Sequence, residues 1–188
     1  MKTLTVDMRW KCLECSPGDS YRYPSPLSRH MRGQYDKPGI YRWAIFDSEG
    51  HLIEAYVGES ESVHGRLYQY LHPGKKQQTN LRLKAHLDGV LSRGLKLEYQ
   101  VLEFDDFQIN SLVVNSQSLS DPHARKFLEA FVIGELRTGG CKILNMGKDS
   151  TDKRIERAVE ALNLSAERKA DLVSEFKSIA GVKVAQTH

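Results

Sequence analysis

The order of apolar and polar residues divides most of this chain into strands and helices. Tyr41-Arg-Trp-Ala-Ile-Phe46 and the run from Ile53 to Val57 are rich in aromatic and β-branched residues, and Asp47-Ser-Glu-Gly50 between them is turn chemistry. Together they predict a β-hairpin. After it, Glu59-Ser-Glu-Ser62 carries helix-start signals, and Val63, Leu67, Tyr70 and Leu71 recur at helical spacing, which puts Arg66 one to two turns into a helix. His72 to Thr79 reads as a loop, and Thr79 or Asn80 as the cap of a helix with Leu81, Leu83, Leu87, Val90 and Leu91 on one face, stopped by Gly94. Leu95 to Phe104 alternates as a third strand, with Leu97, Tyr99 and Val101 on one side. Residues 105–120 read as a surface excursion. Ser120-Asp121-Pro122 starts a helix carrying Phe127, Leu128, Phe131, Val132 and Leu136, which runs to about Arg137 and ends at Gly139-Gly140. Cys141 to Gly147 is a short apolar segment. Thr151–Leu162 and Ser165–Ile179 have helical periodicity around a turn at Asn163-Leu-Ser165.

The N-terminal stretch is of a different kind. A strand is expected from Leu4 to Leu13, broken by Ser16-Pro17-Gly18-Asp19. The residues up to Lys37 are rich in Pro, Ser, Arg and Tyr, including Tyr21-Arg-Tyr-Pro-Ser-Pro26 and Arg29-His-Met-Arg32. Such an arm suits phosphate contact and stacking on DNA, or packing on the sheet as a connector.

Composition narrows the class. Hydrophobic content of 40% and charged content of 27% over 188 residues are those of a globular domain, with no apolar run near the ~18–20 residues of a spanning helix. Met1-Lys-Thr-Leu-Thr-Val-Asp7 lacks a signal-peptide apolar region, so a cytoplasmic location is expected. A net charge of +3 permits nucleic-acid binding without demanding it, and local clustering carries more information. Lys75, Lys76, Arg82, Lys84, Arg93 and Lys96 form one basic series, and Lys148, Lys153, Arg154 and Arg157 another. Cys12, Cys15 and Cys141 make no disulfide framework. Cys12 and Cys15 have zinc-knuckle spacing with only His30 nearby, short of the four ligands of structural zinc.

The chemistry is concentrated in Gly39-Ile40-Tyr41, which opens the hairpin, Tyr56-Val57-Gly58, which closes it, Arg66, Glu129 in Phe-Leu-Glu-Ala-Phe-Val-Ile133, and Asn145 in Ile-Leu-Asn-Met. In order and local context these motifs resemble the GIY-YIG nuclease superfamily over roughly Pro38 to Gly147. Arg66-Leu-Tyr-Gln-Tyr70 and the Leu-Glu-Ala run look like the nuclease module of the bacterial excision-repair incision protein. The resemblance implies an α/β fold of the α+β type, a small three-stranded antiparallel sheet flanked by helices. An N-terminal strand and arm (1–37) would precede the nuclease domain (38–147), and a C-terminal helical hairpin (148–188) would follow it.

It also implies a Mg²⁺-dependent (or Mn²⁺-dependent) DNA endonuclease, with Tyr41 and Tyr56 the motif tyrosines, Arg66 the catalytic arginine, Glu129 the metal ligand and Asn145 a supporting asparagine. Tyr70 takes the place, four after the arginine, where a His or Tyr is common. Arg66, Lys75, Lys76 and Arg82 are the candidate DNA contacts. These roles suit phosphodiester hydrolysis. Mg²⁺ keeps several waters and needs few protein carboxylates, and a guanidinium clamps phosphate and stabilises developing charge. A tyrosine, with a reference pKa of about 10, is a poor base unless a cation acts on it. The resemblance makes Tyr56 the first choice for that base and Tyr41 the second.

This chain departs from the family pattern at Glu59, where the repair nucleases carry a lysine, and in a longer stretch between Arg66 and Glu129 that contains His72, His86 and His123. Glu135 is a competing ligand. A restriction-type or mobile-element enzyme is the expected occupation, with a repair nuclease, an inactive binding module or a structural zinc protein as alternatives. Cutting both strands would require a homodimer or sequential nicking.

Overall fold

The computed structural model describes residues 8–104, 107–109, 112–114, 116–145, 151–162 and 164–179. In chain order these form β1 (Met8–Cys12), β2 (Glu14–Ser16), β3 (Asp19–Ser20), α1 (Arg29–Tyr35), β4 (Gly39–Phe46), β5 (Leu52–Ser60), α2 (Val63–Leu71), α3 (Gln78–Ser92), β6 (Lys96–Phe104), β7 (Phe107–Ile109), β8 (Leu112–Val114), a 3-10 turn (Ser116–Ser120), α4 (Pro122–Thr138), β9 (Lys142–Ile143), α5 (Thr151–Glu160) and α6 (Ala166–Ile179). The expected start of the first strand at Leu4, Gly147, Lys148 and Asn163 lie outside the described residues. Among the described residues no helix is long and apolar enough to cross a membrane.

The β4–β5 hairpin forms as its pattern predicts. Asp47 Oδ1 accepts from the backbone N–H groups of Glu49 (3.0 Å) and His51 (2.8 Å), and Gly50 takes the left-handed conformation of the turn, φ +86°. The fold is mixed α/β, but the sheet is larger than the three antiparallel strands expected. Its order is β1-β6-β4-β5-β9. β6, β4 and β5 form the antiparallel centre. β1 adds antiparallel to β6, and β9 pairs parallel to β5 at Glu54 and Ala55. A strand of two residues has no periodicity, so β9 carries no readable signal of its own.

β4 lies between two strands and is covered on both faces, so Gly39–Ile45 is buried throughout. Successive side chains feed different cores. On one face Ile40, Ala55, Val57 and Leu102 pack with Phe127, Leu128, Phe131 and Leu136 of α4 and with Val159 and Leu172 of α5 and α6. On the other, Tyr41, Trp43, Tyr99 and Val101 pack with Leu67 and Tyr70 of α2, Leu83 and Leu87 of α3, and Tyr21, Tyr23, Met31 and Tyr35.

The N-terminal arm therefore packs on the sheet through its tyrosines. Tyr23 sets its ring edge-on to Trp43 (5.2 Å) and donates its hydroxyl to Asp88 (2.9 Å). Its arginines Arg22, Arg29 and Arg32 remain exposed. The C-terminal helices α5 and α6 join the α4 side of the core.

Several boundaries differ from the sequence expectation. β5 runs to Ser60, so Glu59 and Ser60 are strand and Ser62 alone caps α2, accepting from the Gly65 N–H at 2.8 Å. Arg66 thus stands in the first turn. α3 begins at Gln78 without a side-chain cap, and Asn80 is buried within it, donating to Gln77 Oε1 at 3.2 Å.

Candidate active site

The glycines of both motifs are explained by space. Gly58 pairs directly across from Tyr41, and a Cβ there would lie 2.2 Å from the Tyr41 hydroxyl oxygen. A Cβ on Gly39 would lie 2.9 Å from a Val63 methyl. The tyrosine ring crosses its neighbour strand where side chain is absent, and α2 comes down onto the strand that opens the hairpin.

That close approach builds one connected cluster. Arg66 Nε donates to Tyr41 Oη at 3.1 Å, and Tyr41 Oη lies 2.8 Å from Tyr70 Oη. The Arg66 guanidinium sits 4.6 Å over the Tyr70 ring, and its Nη1 donates to Gln69 Oε1 at 2.7 Å. The Tyr56 ring stands edge-on to Tyr70 at 6.1 Å. Tyr56 is half-buried, and its hydroxyl makes no hydrogen bond to a described residue. Tyr41, Tyr56, Arg66 and Tyr70 are thus brought together on the α2 face of the sheet.

Burial pushes the Tyr41 and Tyr70 hydroxyls well above the ordinary tyrosine value. Burial also opposes the charge on Arg66, but the Tyr41 and Tyr70 oxygens outweigh it and hold the guanidinium above its ordinary value. Arg66 stays a cation throughout the accessible pH range.

Asn145 acts on backbone. Its Oδ1 accepts from the Val57 N–H at 2.9 Å and its Nδ2 donates to the Val57 carbonyl at 2.6 Å. Leu144 N–H donates to the Ala55 carbonyl at 2.8 Å. The side chain of Asn145 continues where the β9 ladder stops, and it pins the residue between Tyr56 and Gly58. Beyond Val57 the outer edge of β5 has no strand partner among the described residues.

Glu129 is half-buried on α4, across the sheet from the tyrosine–arginine cluster. One turn earlier on the same helix face, Arg125 Nε donates to Glu59 Oε2 at 2.7 Å and Nη1 donates to the carbonyls of Leu119 (2.8 Å) and Ser120 (3.2 Å). This face of α4 therefore addresses the Gly58–Ser60 end of β5. Glu59 is neutralised by Arg125, which sequence reading did not single out. Its signal was the four-residue interval to Glu129 on a helix and the need of a strand carboxylate facing a core for a cation. Gln69 was also missed, although it stands at the i+3 position from Arg66.

Among the described residues no group of three or more His, Cys, Asp or Glu is placed to hold a metal ion. A single carboxylate is compatible with Mg²⁺, which keeps waters and takes substrate phosphate oxygens, and Glu129 fits that donor set. Glu135, the competing ligand, is half-buried and its carboxyl is pushed up by burial. Cys12 Sγ donates to Glu98 Oε2 (3.0 Å), whereas Cys15 Sγ donates to Asp19 Oδ2 (3.1 Å), so the two thiols serve separate contacts.

The other candidates lie outside the cluster. Lys75 and Lys76 are exposed on the loop after α2, and Arg82 is exposed on α3. His86 Nε2 is 2.8 Å from Glu54 Oε2, a carboxylate that also accepts from Lys142 Nζ at 2.7 Å. His72 closes α2, away from Arg66, with its ring 4.4 Å from that of Tyr68. His123 is exposed in the first turn of α4. Comparison with protein-family models, with curated proteins and with solved structures found no match for this chain.

Proposed function

We propose that this chain is a Mg²⁺-dependent DNA endonuclease of the GIY-YIG type that hydrolyses phosphodiester bonds. The observation that carries the reading is the contact chain from Arg66 through Tyr41 to Tyr70, set beside Tyr56, whose hydroxyl makes no hydrogen bond to a described residue.

Arg66 binds the scissile phosphate. A guanidinium has five N–H donors in a planar fork; Nε and one Nη1 donor are held by Tyr41 and Gln69, which leaves the others for phosphoryl oxygens. Held in this way, its charge needs no reorganisation as negative charge develops. Tyr41 is unsuited to be the base, because its hydroxyl is buried, raised in pKa and already engaged on two sides. Tyr41 and Tyr70 are positioning residues for Arg66. Tyr56, as the tyrosinate with its own proton given up to solvent, is the tyrosine that would receive the proton of the attacking water.

A bound Mg²⁺ supplies Lewis-acid stabilisation of the phosphoryl oxygens, and Glu129 is the side chain that would hold it. A strand passing the outer edge of β5 meets Tyr56 and Arg66 from one face of the sheet and the Glu129 face of α4 from the other. Asn145 keeps that edge in register. The pairing of Glu59 with Arg125 removes the repulsive carboxylate that a decayed, binding-only site would carry.

The test is nicking of supercoiled plasmid by the purified chain with Mg²⁺, Mn²⁺ or EDTA. Cleavage is expected only with metal, with Glu129→Ala and Arg66→Ala inactive. Tyr56→Phe is expected to be slower by about 10²–10⁴-fold, the usual worth of a general base. Cleavage unaffected by Glu129→Ala would sink the site assignment. Mapping the product ends separates a site-specific enzyme of restriction type from a repair enzyme that selects structure.

A further inference from the structure

Arg66 and Tyr68 are two residues apart on α2 and so point about 200° apart, onto opposite flanks of the helix. On the Tyr68 flank an open cleft of about 550 Å³ lies between α1, α2 and α3, with Arg29, Arg32, His64, Tyr68, His72 and Lys84 in its lining. Its volume is that of ordinary small-ligand sites. Tyr68 is 54% exposed, the most exposed large hydrophobic residue described, and its ring lies against His72 with an interplanar angle of 31°. Lys84 is committed to Asp88 at 2.8 Å, but Arg29 and Arg32 are exposed and form no ion pair with a described residue. Among the described residues their charge has no ion-pair partner, and the Tyr68 ring beside it is more than half exposed.

We infer that this cleft holds one unpaired nucleotide of the DNA substrate, its base stacked on Tyr68 and its phosphate held by Arg29 and Arg32. Two features support this occupant. Exposed aromatic faces beside uncompensated cations are the combination that binds single strands, because every base has a π-face and every nucleotide a phosphate. The cleft also flanks the helix that carries Arg66, so a strand crossing the outward side of α2 reaches both. The inference rests on the endonuclease reading and adds to it a second anchor and a preference for substrates with a locally unpaired strand.

The experiment measures fluorescence anisotropy of a labelled single-stranded DNA oligonucleotide in EDTA, with plasmid nicking assayed in parallel. Tyr68→Ala is expected to weaken binding about 5- to 150-fold, the worth of one stacked base, while Tyr68→Phe retains it. Tyr68 is exposed, so neither variant should lose its fold, which circular dichroism checks. Arg29→Ala with Arg32→Ala is expected to lower the slope of log affinity against log salt by about 1.4, near 0.7 for each single-strand phosphate contact. Unchanged affinity in Tyr68→Ala with wild-type nicking intact overturns this inference and leaves the nuclease standing. Failure of the wild type both to bind and to nick overturns both. Binding of a deoxynucleoside monophosphate as tight as that of the oligonucleotide would also overturn it, since the cleft would then be a free-nucleotide pocket.

Discussion

Replacing Gly58 by alanine tests the packing on which the candidate site depends. The added Cβ would stand 2.2 Å from Tyr41 Oη and 2.4 Å from its Cζ, distances no side chain tolerates. The ring has no room to yield, because Tyr41 is 1% exposed, its hydroxyl is tied to Tyr70 and Arg66, and Tyr99 lies against it at 5.2 Å. Overpacking a core costs about 1–3 kcal/mol, and loss of the charge-assisted bond from Arg66 adds about 1.5–3. Gly58→Ala is therefore expected to destabilise by about 2.5–6 kcal/mol, a fall in Tm of about 5–24 °C at this chain length. Gly39→Ala meets one methyl of Val63 at 2.9 Å and should cost about 1 kcal/mol. Urea and thermal denaturation by circular dichroism measure both. In a Tyr41→Leu background the obstacle is gone, and the same Gly58→Ala change should turn stabilising by about 0.5–1 kcal/mol, because glycine loses more backbone freedom on folding than alanine. Equal cost in the two backgrounds, or no cost in the wild type, would refute the reasoning.

Further outcomes are expected at the supporting residues. Asn145→Ala removes both hydrogen bonds to Val57 and should cost about 1–3 kcal/mol in urea denaturation. Arg125→Met strands the Glu59 carboxylate; with Arg125 at 7% exposure and Glu59 at 23%, a loss of about 2–4 kcal/mol is expected, largely recovered by adding Glu59→Gln. Burial works against the charge on Glu54, but Lys142 and His86 hold its carboxyl below the usual range. Its folded pKa is thus depressed, so its contribution is present above the unfolded value of about 4.3 and is lost as pH falls through the folded one. Glu54→Gln should accordingly flatten the acid side of a profile of Tm against pH, and an unchanged acid limb would contradict the ion-pair assignment.

Much of the fold is legible in one dimension because its signals are local. The β4–β5 hairpin follows from two β-rich runs around Asp47 and Gly50. α2 follows from Ser62 and the spacing of Val63, Leu67 and Tyr70, and α4 from Asp121 and Pro122 ahead of a helical stripe. The grouping of Tyr41, Arg66 and Tyr70 was readable for the same reason, since one hairpin followed at once by one helix leaves few places for the arginine to go.

Contacts between distant segments were not readable. β1 joins β6 across most of the sheet's sequence, and β9 is too short to show a pattern, so the sheet is wider than the hairpin and third strand suggest. Tyr21 and Tyr23 look from composition like residues for stacking on DNA, yet they fill the face of the sheet beside Trp43, because an aromatic ring gains more from burial than from standing in water. Glu59 reads in isolation as an electrostatic defect and becomes half of an ion pair only when α4 brings Arg125 to it. Asn145 finds its partner, the Val57 backbone, only when the chain returns to the edge of β5. Periodicity and turn chemistry act over a few residues and are written in the local order of the chain. The partner of a buried charge or an open strand edge is chosen by packing, which brings together residues that local order leaves far apart.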